Sequence, residues 1–424
     1  MERKKNIYLI YIYIFLLFWN FKYSNLIIKN IYFKFLFFHV CNYIWIVSKM
    51  PAEKKGANTS IYGEVDQVIK DRLSQFNPDD IVDFRSDTVS KPTNEMIAAM
   101  YTYPVGDDGY GEDPTVNLLE ETVAKLAGKE AAMFVASGIM SNQLALRSHL
   151  EVPPHSVLCD ARSHIFNLEC GGVAIHAGAL MTPVNPTEGR SYITVKDIEK
   201  AVVEKSLYSA PTKLISLENT LDGEILPIET IEEINNFARS KGIPLHLDGA
   251  RLWNASRATG IPIKEYAKYF DSVSLCFSKG LGAPIGSVLT GSVEFINRAR
   301  QWRKIYGGAW RQAGHLAGAC LYALENHFPN LNKDHAAAKV LGQRLEEMGY
   351  NLIKRVDTNM VWVEDNHALV SLSDMAKEVA AYGIKISGSS RFVIHLGNRN
   401  QVDRLTNAMQ EIIERRKNGV LEAI

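Results

Sequence analysis

The chain has 424 residues, 47 Lys and Arg against 47 Asp and Glu, and 46% hydrophobic residues. That balance excludes the basic footprint of a nucleic-acid binder. Five cysteines (Cys41, Cys159, Cys170, Cys276 and Cys320) show no paired or metal-binding spacing, so a reducing compartment, the cytoplasm, and no metal site are expected.

Residues 1–49 stand apart. They contain no Gly, Ala, Pro, Asp or Thr, and carry seven Lys or Arg against one Glu. Their apolar run Ile7–Trp19 is short for a spanning helix, which needs ~20 residues, and no small-residue cleavage site follows it. Ile, Phe, Tyr, Lys and Asn are the residues of A/T-rich codons. The segment is therefore expected not to belong to the native protein, with Met50 as its natural start and a membrane anchor as the alternative. Without it, 40 basic residues face 46 acidic ones, which again leaves no nucleic-acid partner to expect, and no membrane. Residues 50–80 read as a lead-in.

From about Met96 to Asn326, helical patterns alternate with short apolar strands, the rhythm of a mostly parallel sheet. Ala131–Val135 reads as a strand that runs through Ser137-Gly138 into a helical pattern (Leu144, Leu146, Leu150). A glycine at a helix N-terminus makes a ready anion site, though such turns are common. Further on, Ile243-Pro-Leu-His-Leu-Asp248 is an apolar strand closing on an acid. Asp248 before Gly249 could equally cap a turn. Ser272–Phe277 alternates as a buried strand, and Lys279 is expected at its end, followed by three glycines.

Lys279 and Asp248 lie 31 positions apart and each closes a strand, so both are expected to face one crevice at the carboxyl edge of the sheet. An amine among apolar residues is costly to bury charged, and such an amine can form a Schiff base to an aldehyde cofactor. A carboxylate nearby can keep a pyridine nitrogen protonated. Lysine plus aspartate in these roles is how proteins hold pyridoxal 5'-phosphate (PLP).

Beyond residue 328, a long helix (336–348) leads into Met360-Val-Trp-Val363 and Phe392-Val-Ile-His-Leu396, which read as a smaller α+β domain. The expected organisation is a large cofactor domain over 81–328 and a small domain over 329–424.

The motifs as a set carry a resemblance. Asp83-Phe-Arg-Ser-Asp-Thr-Val89, Val105-Gly-Asp-Asp-Gly-Tyr-Gly-Glu-Asp-Pro-Thr-Val116, Ser216-Leu-Glu-Asn-Thr220, His246-Leu-Asp-Gly-Ala-Arg251, Phe277-Ser-Lys-Gly-Leu-Gly-Ala-Pro-Ile-Gly286 and Trp310-Arg-Gln-Ala-Gly314 stand in order over 81–410. The chain resembles the threonine aldolase (β-eliminating lyase) branch of PLP enzymes. That resemblance implies an α/β fold of the aspartate-aminotransferase type, with a mostly parallel seven-stranded sheet.

It also implies roles. Lys279 would carry PLP, Asp248 would meet the pyridine nitrogen, and His164 would stack on the ring. Ser86, Arg251 and Arg391 would bind the carboxylate of an amino-acid substrate, a task suited to guanidinium forks. Gly138, Ile139 and Arg311 would hold the phosphate, with Arg311 supplied by a neighbouring subunit of a homodimer or homotetramer. Without the resemblance, His164 could be a capping residue and Arg391 an ordinary edge-strand arginine.

Two positions depart from the family's pattern. Ile139 stands where threonine is usual and offers only its backbone N–H, a loss of roughly 1.5–3 kcal/mol in one charged hydrogen bond. Tyr208 stands where a histidine is typical, near the substrate's β-hydroxyl. A phenol, with a pKa near ~10, is a poorer base at neutral pH than imidazole. The implied reaction is retro-aldol cleavage of L-threonine or L-allo-threonine to glycine and an aldehyde. The Tyr208 exchange keeps an alanine racemase of the same family as the alternative, with Tyr208 filling space as the plainest reading of that residue.

Overall fold

The computed structural model describes residues 81–422. The expectations for residues 1–49 and 50–80 lie outside the described residues. Among the described residues no helix is long and apolar enough to cross a membrane.

The strands in chain order are β1 (Val82–Asp83), β2 (Ala131–Val135), β3 (Ser156–Asp160), β4 (Leu180–Val184), β5 (Thr212–Glu218), β6 (Leu245–Asp248), β7 (Ser272–Cys276), β8 (Ser287–Gly291), β9 (Met360–Trp362), β10 (Ile384–Lys385) and β11 (Arg391–Val393). Seven of them form one sheet in the order β2-β8-β7-β6-β5-β3-β4. Only β8 runs antiparallel to its neighbours, β2 and β7. The mostly parallel seven-stranded sheet expected from the resemblance is present.

Its central strands are buried along their whole length, β3, β6, β7 and β8 without a half-exposed residue. Helices cover both faces, so these strands read as near-continuous apolar runs. The helix Pro114–Ala127 shows why the boundaries fall where they do. Asp113 accepts from the N–H groups of Thr115 and Val116, Pro114 opens the helix, and Gly128 ends it with φ +62°. The large core against this sheet includes Phe134, Leu158, Ile215, Leu247, Val273 and Trp253.

A second core forms around Leu341, Leu345, Val361, Met375, Phe392, Leu405 and Ile412. It includes Val82 and Phe84. β1 pairs in parallel with β10, and the Val393 N–H donates to the Phe84 carbonyl. β1, within the segment expected to form the large domain, thus packs on the second core. The first described strand has no partner in the large sheet, and its apolar side chains are buried by the C-terminal elements instead.

The strand before Lys279 is also shorter than expected. It ends at Cys276, with the Phe277 N–H donating to the Gly286 carbonyl as the last bond towards β8. Lys279 therefore sits in the β7–β8 loop, whose closure is fixed by Gly282 donating to the Lys279 carbonyl at 2.8 Å. Gly286 has φ +113°, and a Cβ there would meet the Phe134 ring at 2.3 Å, so only glycine lets the loop return to β8.

Candidate active site

The carboxyl ends of the parallel strands gather the chemistry. β5 ends on Glu218 and β6 on Asp248, which are paired residues of adjacent strands. β2 leads through Ser137 into the helix Gly138–His149, β3 leads to His164, and β7 leads to Lys279. This is the edge at which open α/β sheets bind ligands.

Asp248 is buried. Its Oδ1 accepts from the Ala250 N–H at 3.0 Å and its Oδ2 from the Asn142 side-chain amide at 2.7 Å. The same Asn142 nitrogen donates to Glu169 Oε1 at 2.9 Å. Glu169 Oε1 also receives His164 Nδ1 at 2.8 Å, and Glu169 Oε2 receives Gln143 Nε2 at 2.5 Å. His164, Glu169 and Asp248 have ligand atoms within 4.8 Å of one another. The Asn142 amide and the His164 N–H already occupy the positions between them, so we assign the group to hydrogen bonding rather than to a metal.

Glu218 Oε2 accepts the backbone N–H of His164 at 2.8 Å. Burial, and then the Asp248 charge beside it, push the Glu218 carboxyl up to about 8. Lys279 acts in the opposite sense on Glu218, which places its amine in the same field as these acids.

A second cluster suits a carboxylate. Arg251 grips buried Asp87 in a fork, Nε to Oδ2 at 2.8 Å and Nη2 to Oδ1 at 2.6 Å. Burial acts to raise the Asp87 carboxyl, but Arg251 and then Lys279 outweigh it and hold Asp87 down at about 2. Arg391 lies over the Trp362 ring at 5.8 Å and donates to the Arg85 carbonyl at 3.3 Å. Its ionisation is lowered by burial and by the positive charge of Arg251. Asp87 and Asp222 act on Arg391 in the opposite sense. Ser86 follows Arg85 at the same turn, with its Oγ accepting from the Thr88 N–H at 3.2 Å and from Thr88 Oγ1 at 2.8 Å.

The helix Gly138–His149 opens at the same edge. Its cap Ser137 Oγ accepts from Met140 N at 3.1 Å. The N–H groups of Gly138 and Ile139 have no partner among the described residues. A Cβ on Gly138 would meet Cys276 Sγ at 2.6 Å, so glycine is what allows the helix to start against the end of β7.

Two expected residues are not brought to the site by a single chain. Tyr208 is 94% exposed in the loop between Ser206 and Ser209. Arg311 is 66% exposed at its side chain and pairs with Asp107 at 3.4 Å. The sequence expectation already assigned Arg311 to a neighbouring subunit.

Comparisons with known proteins agree with this geometry. Residues 83–367 match the β-eliminating lyase family. The chain belongs to that family. A probable low-specificity L-threonine aldolase of Schizosaccharomyces pombe is 43% identical over 335 residues, 78% of this chain and 88% of that protein. The aldolase vrtJ of Penicillium aethiopicum is 45% identical over 335 residues, 78% and 86% of the two chains. A solved structure of Leishmania major threonine aldolase superposes with TM-score 0.67 over 78% of this chain and 99% of that one. At 19% identity it bears on the fold alone. The racemase alternative finds no support in these relatives.

β-Eliminating lyases depend on PLP, and the donors in this member fit it. There is a primary amine (Lys279), a buried carboxylate for the pyridine nitrogen (Asp248) and an imidazole fixed through one nitrogen (His164). There are also unpartnered N–H groups at a helix start for a phosphate. Asp87, Asn142, Glu169 and Glu218 complete the site and escaped the sequence reading as functional residues. Each lay inside or beside a quoted motif, and the available signal was a polar side chain at the end of an apolar run.

Proposed function

We propose that this chain cleaves L-threonine and L-allo-threonine to glycine and acetaldehyde, with PLP attached at Lys279. One observation carries the reading: Asp248 and His164 come together at the carboxyl edge of the sheet, and the Lys279 charge acts there on Glu218 and on Asp87, the partner of Arg251. PLP, when bound, supplies an electron sink that weakens bonds at the substrate's Cα. Asp248 holds a proton at the ring nitrogen, and the Asn142 and Ala250 donors keep its carboxylate in place. His164 packs on the ring face, its orientation set by Glu169. Gly138 and Ile139 receive the phosphate with backbone N–H groups.

Arg251 and Arg391 clamp the substrate carboxylate, with Ser86 beside them. The clamp decides which Cα bond is held for cleavage, and a displacement of about 1 Å costs on the order of 100-fold in rate. For cleavage, that bond is Cα–Cβ, and the β-hydroxyl must lose its proton. Tyr208 from a second chain is the group assigned to that hydroxyl, and Arg311 from a second chain completes the phosphate site. The working unit is a homo-oligomer. We place the domains at 81–328 and 329–424, with β1 as part of the second by its contacts. We place the enzyme in the cytoplasm, where the unpaired Cys159, Cys170, Cys276 and Cys320 remain reduced.

Incubation with L-threonine and, separately, with L-alanine tests the proposal. Acetaldehyde and glycine should appear from the first, and no D-alanine from the second. D-Alanine with negligible acetaldehyde would overturn it.

A further inference from the structure

Asn142 stands on the second turn of the helix Gly138–His149, is buried, and no role in the reaction falls to it from the motifs. Its amide nitrogen carries two hydrogens, and the structure uses both on carboxylates. One goes to Asp248 Oδ2 at 2.7 Å and the other to Glu169 Oε1 at 2.9 Å. Two carboxylates on one nitrogen fix which end of the amide is which, so Oδ1 must accept. Its partner is His246 Nε2 at 3.2 Å, which therefore carries the hydrogen.

The direction of the remaining bonds follows. Burial holds His246 down at about 4 and His149 down at about 3, so both rings are neutral near pH 7. With its hydrogen on Nε2, His246 accepts at Nδ1 from Ser272 Oγ at 2.8 Å. Ser272 Oγ then accepts from His149 Nε2 at 2.8 Å. Every donor from His149 through Ser272 and His246 points toward Asn142, and Asn142 points both of its hydrogens at the acids. Such aligned chains polarise one another.

We propose that Asn142 is a positioning residue that couples the two ring contacts of the cofactor site. Its single amide group holds Asp248 directly and His164 through Glu169. The two contacts approach the ring from different strands, β6 and the segment after β3. No hydrogen bond other than those of Asn142 joins Asp248 to Glu169 among the described residues. The inference rests on the placement of PLP against Asp248 and His164 and adds what keeps them in register.

Asn142→Leu is nearly isosteric and removes both donors, while Asn142→Ser keeps one hydroxyl donor, which serves one acid at a time. The measurements are the dissociation constant of PLP from the refolded or resolved apoprotein, the absorption maximum of bound PLP and the nitrogen chemical shifts of the histidines by NMR. Asn142→Leu should weaken PLP binding by about 10- to 100-fold, the loss expected for charged hydrogen bonds. It should also shift the absorption maximum and release His246 from the Nε2–H tautomer in the apoprotein. Asn142→Ser should lie between the two and covers the case in which the leucine variant does not fold. A merely structural role would lower thermal stability and leave the absorption maximum and PLP affinity as they were, which would overturn the proposal. Absence of PLP uptake by the unmodified protein would overturn the cofactor assignment, and this inference with it.

Discussion

Arg251 and Asp87 lie 164 residues apart in sequence and meet in a two-point fork, Asp87 fully buried and the Arg251 side chain 13% exposed. The fork fixes the guanidinium, and Arg391 lies close enough to feel its positive charge. Under the proposed clamp, substrate recognition depends on an acid that does not itself touch the amino acid's carboxylate, since like charges repel.

Asp87→Asn should leave Arg251 buried without a counter-charge, which costs about 3–5 kcal/mol of stability. The Michaelis constant for L-threonine should rise more than the turnover number falls. The linkage has a definite sign. Asp87 is held at about 2 against an ordinary 3.8. Its contribution, on the order of 2 kcal/mol, is present above the ordinary value and is lost as pH falls toward 2. Urea unfolding of both proteins at pH 7 and pH 3 measures this, and the gap between them should narrow at the lower pH.

Glu218 behaves in the opposite way. Its folded value of about 8 stands above the ordinary 4.5, because burial and Asp248 oppose its charge. The contribution to stability is full below about 4.5 and is lost as pH rises toward 8. Glu218→Gln imitates the protonated form. In the apoprotein the variant should gain on the wild type by on the order of 3 kcal/mol between pH 5 and pH 8. Parallel stability curves for the two proteins would show that Glu218 is ionised throughout.

What the sequence disclosed was local. Asp248 and the Gly138 helix start were legible because an apolar run stops at each of them, and a buried parallel strand leaves that signature. Lys279 was legible for the same reason, although β7 stops at Cys276, one residue before the alternation does. The supporting residues depend on topology. Asn142 meets Asp248 across 106 positions and Glu169 across 27, and such separations leave no periodic trace. Val82 and Phe84 meet Ile384 and Val393 across 302 and 309 positions, which leaves their place in the second core without a local signal. Tyr208 was placed by resemblance alone, and its exposure could be seen only once the loop was built.

Ile139 gives a prediction in the direction of gain. Its side chain is 43% exposed at the start of the helix Gly138–His149, with room for a hydroxyl on that turn. Ile139→Thr should tighten PLP binding roughly tenfold, the lower end of the value of one hydrogen bond to a charged group, given that exposure. Equilibrium titration of the apoprotein with PLP measures it. Unchanged affinity would mean that the phosphate does not reach this residue.

The exposure of Tyr208 in the Ser206–Ser209 loop suits action on a substrate bound at Lys279 of a second chain. If they serve it from two chains, the defects of two variants should cancel in a mixed oligomer. Tyr208→Ala and Lys279→Ala should each cleave L-threonine poorly or not at all. Co-expressed in equal amounts, they form mixed pairs in which one site draws Lys279 from the first chain and Tyr208 from the second. Random pairing makes half of the dimers mixed and half of their sites intact, so about a quarter of wild-type activity should return. No recovery, with mixed oligomers verified by differential tagging, would exclude action across the interface. Unimpaired cleavage by Tyr208→Ala alone would remove the phenol from the reaction. Tyr208→His is the complementary change: an imidazole titrates near ~6.5 and takes a hydroxyl proton more readily at neutral pH. Its cleavage rate should equal or exceed that of the wild type.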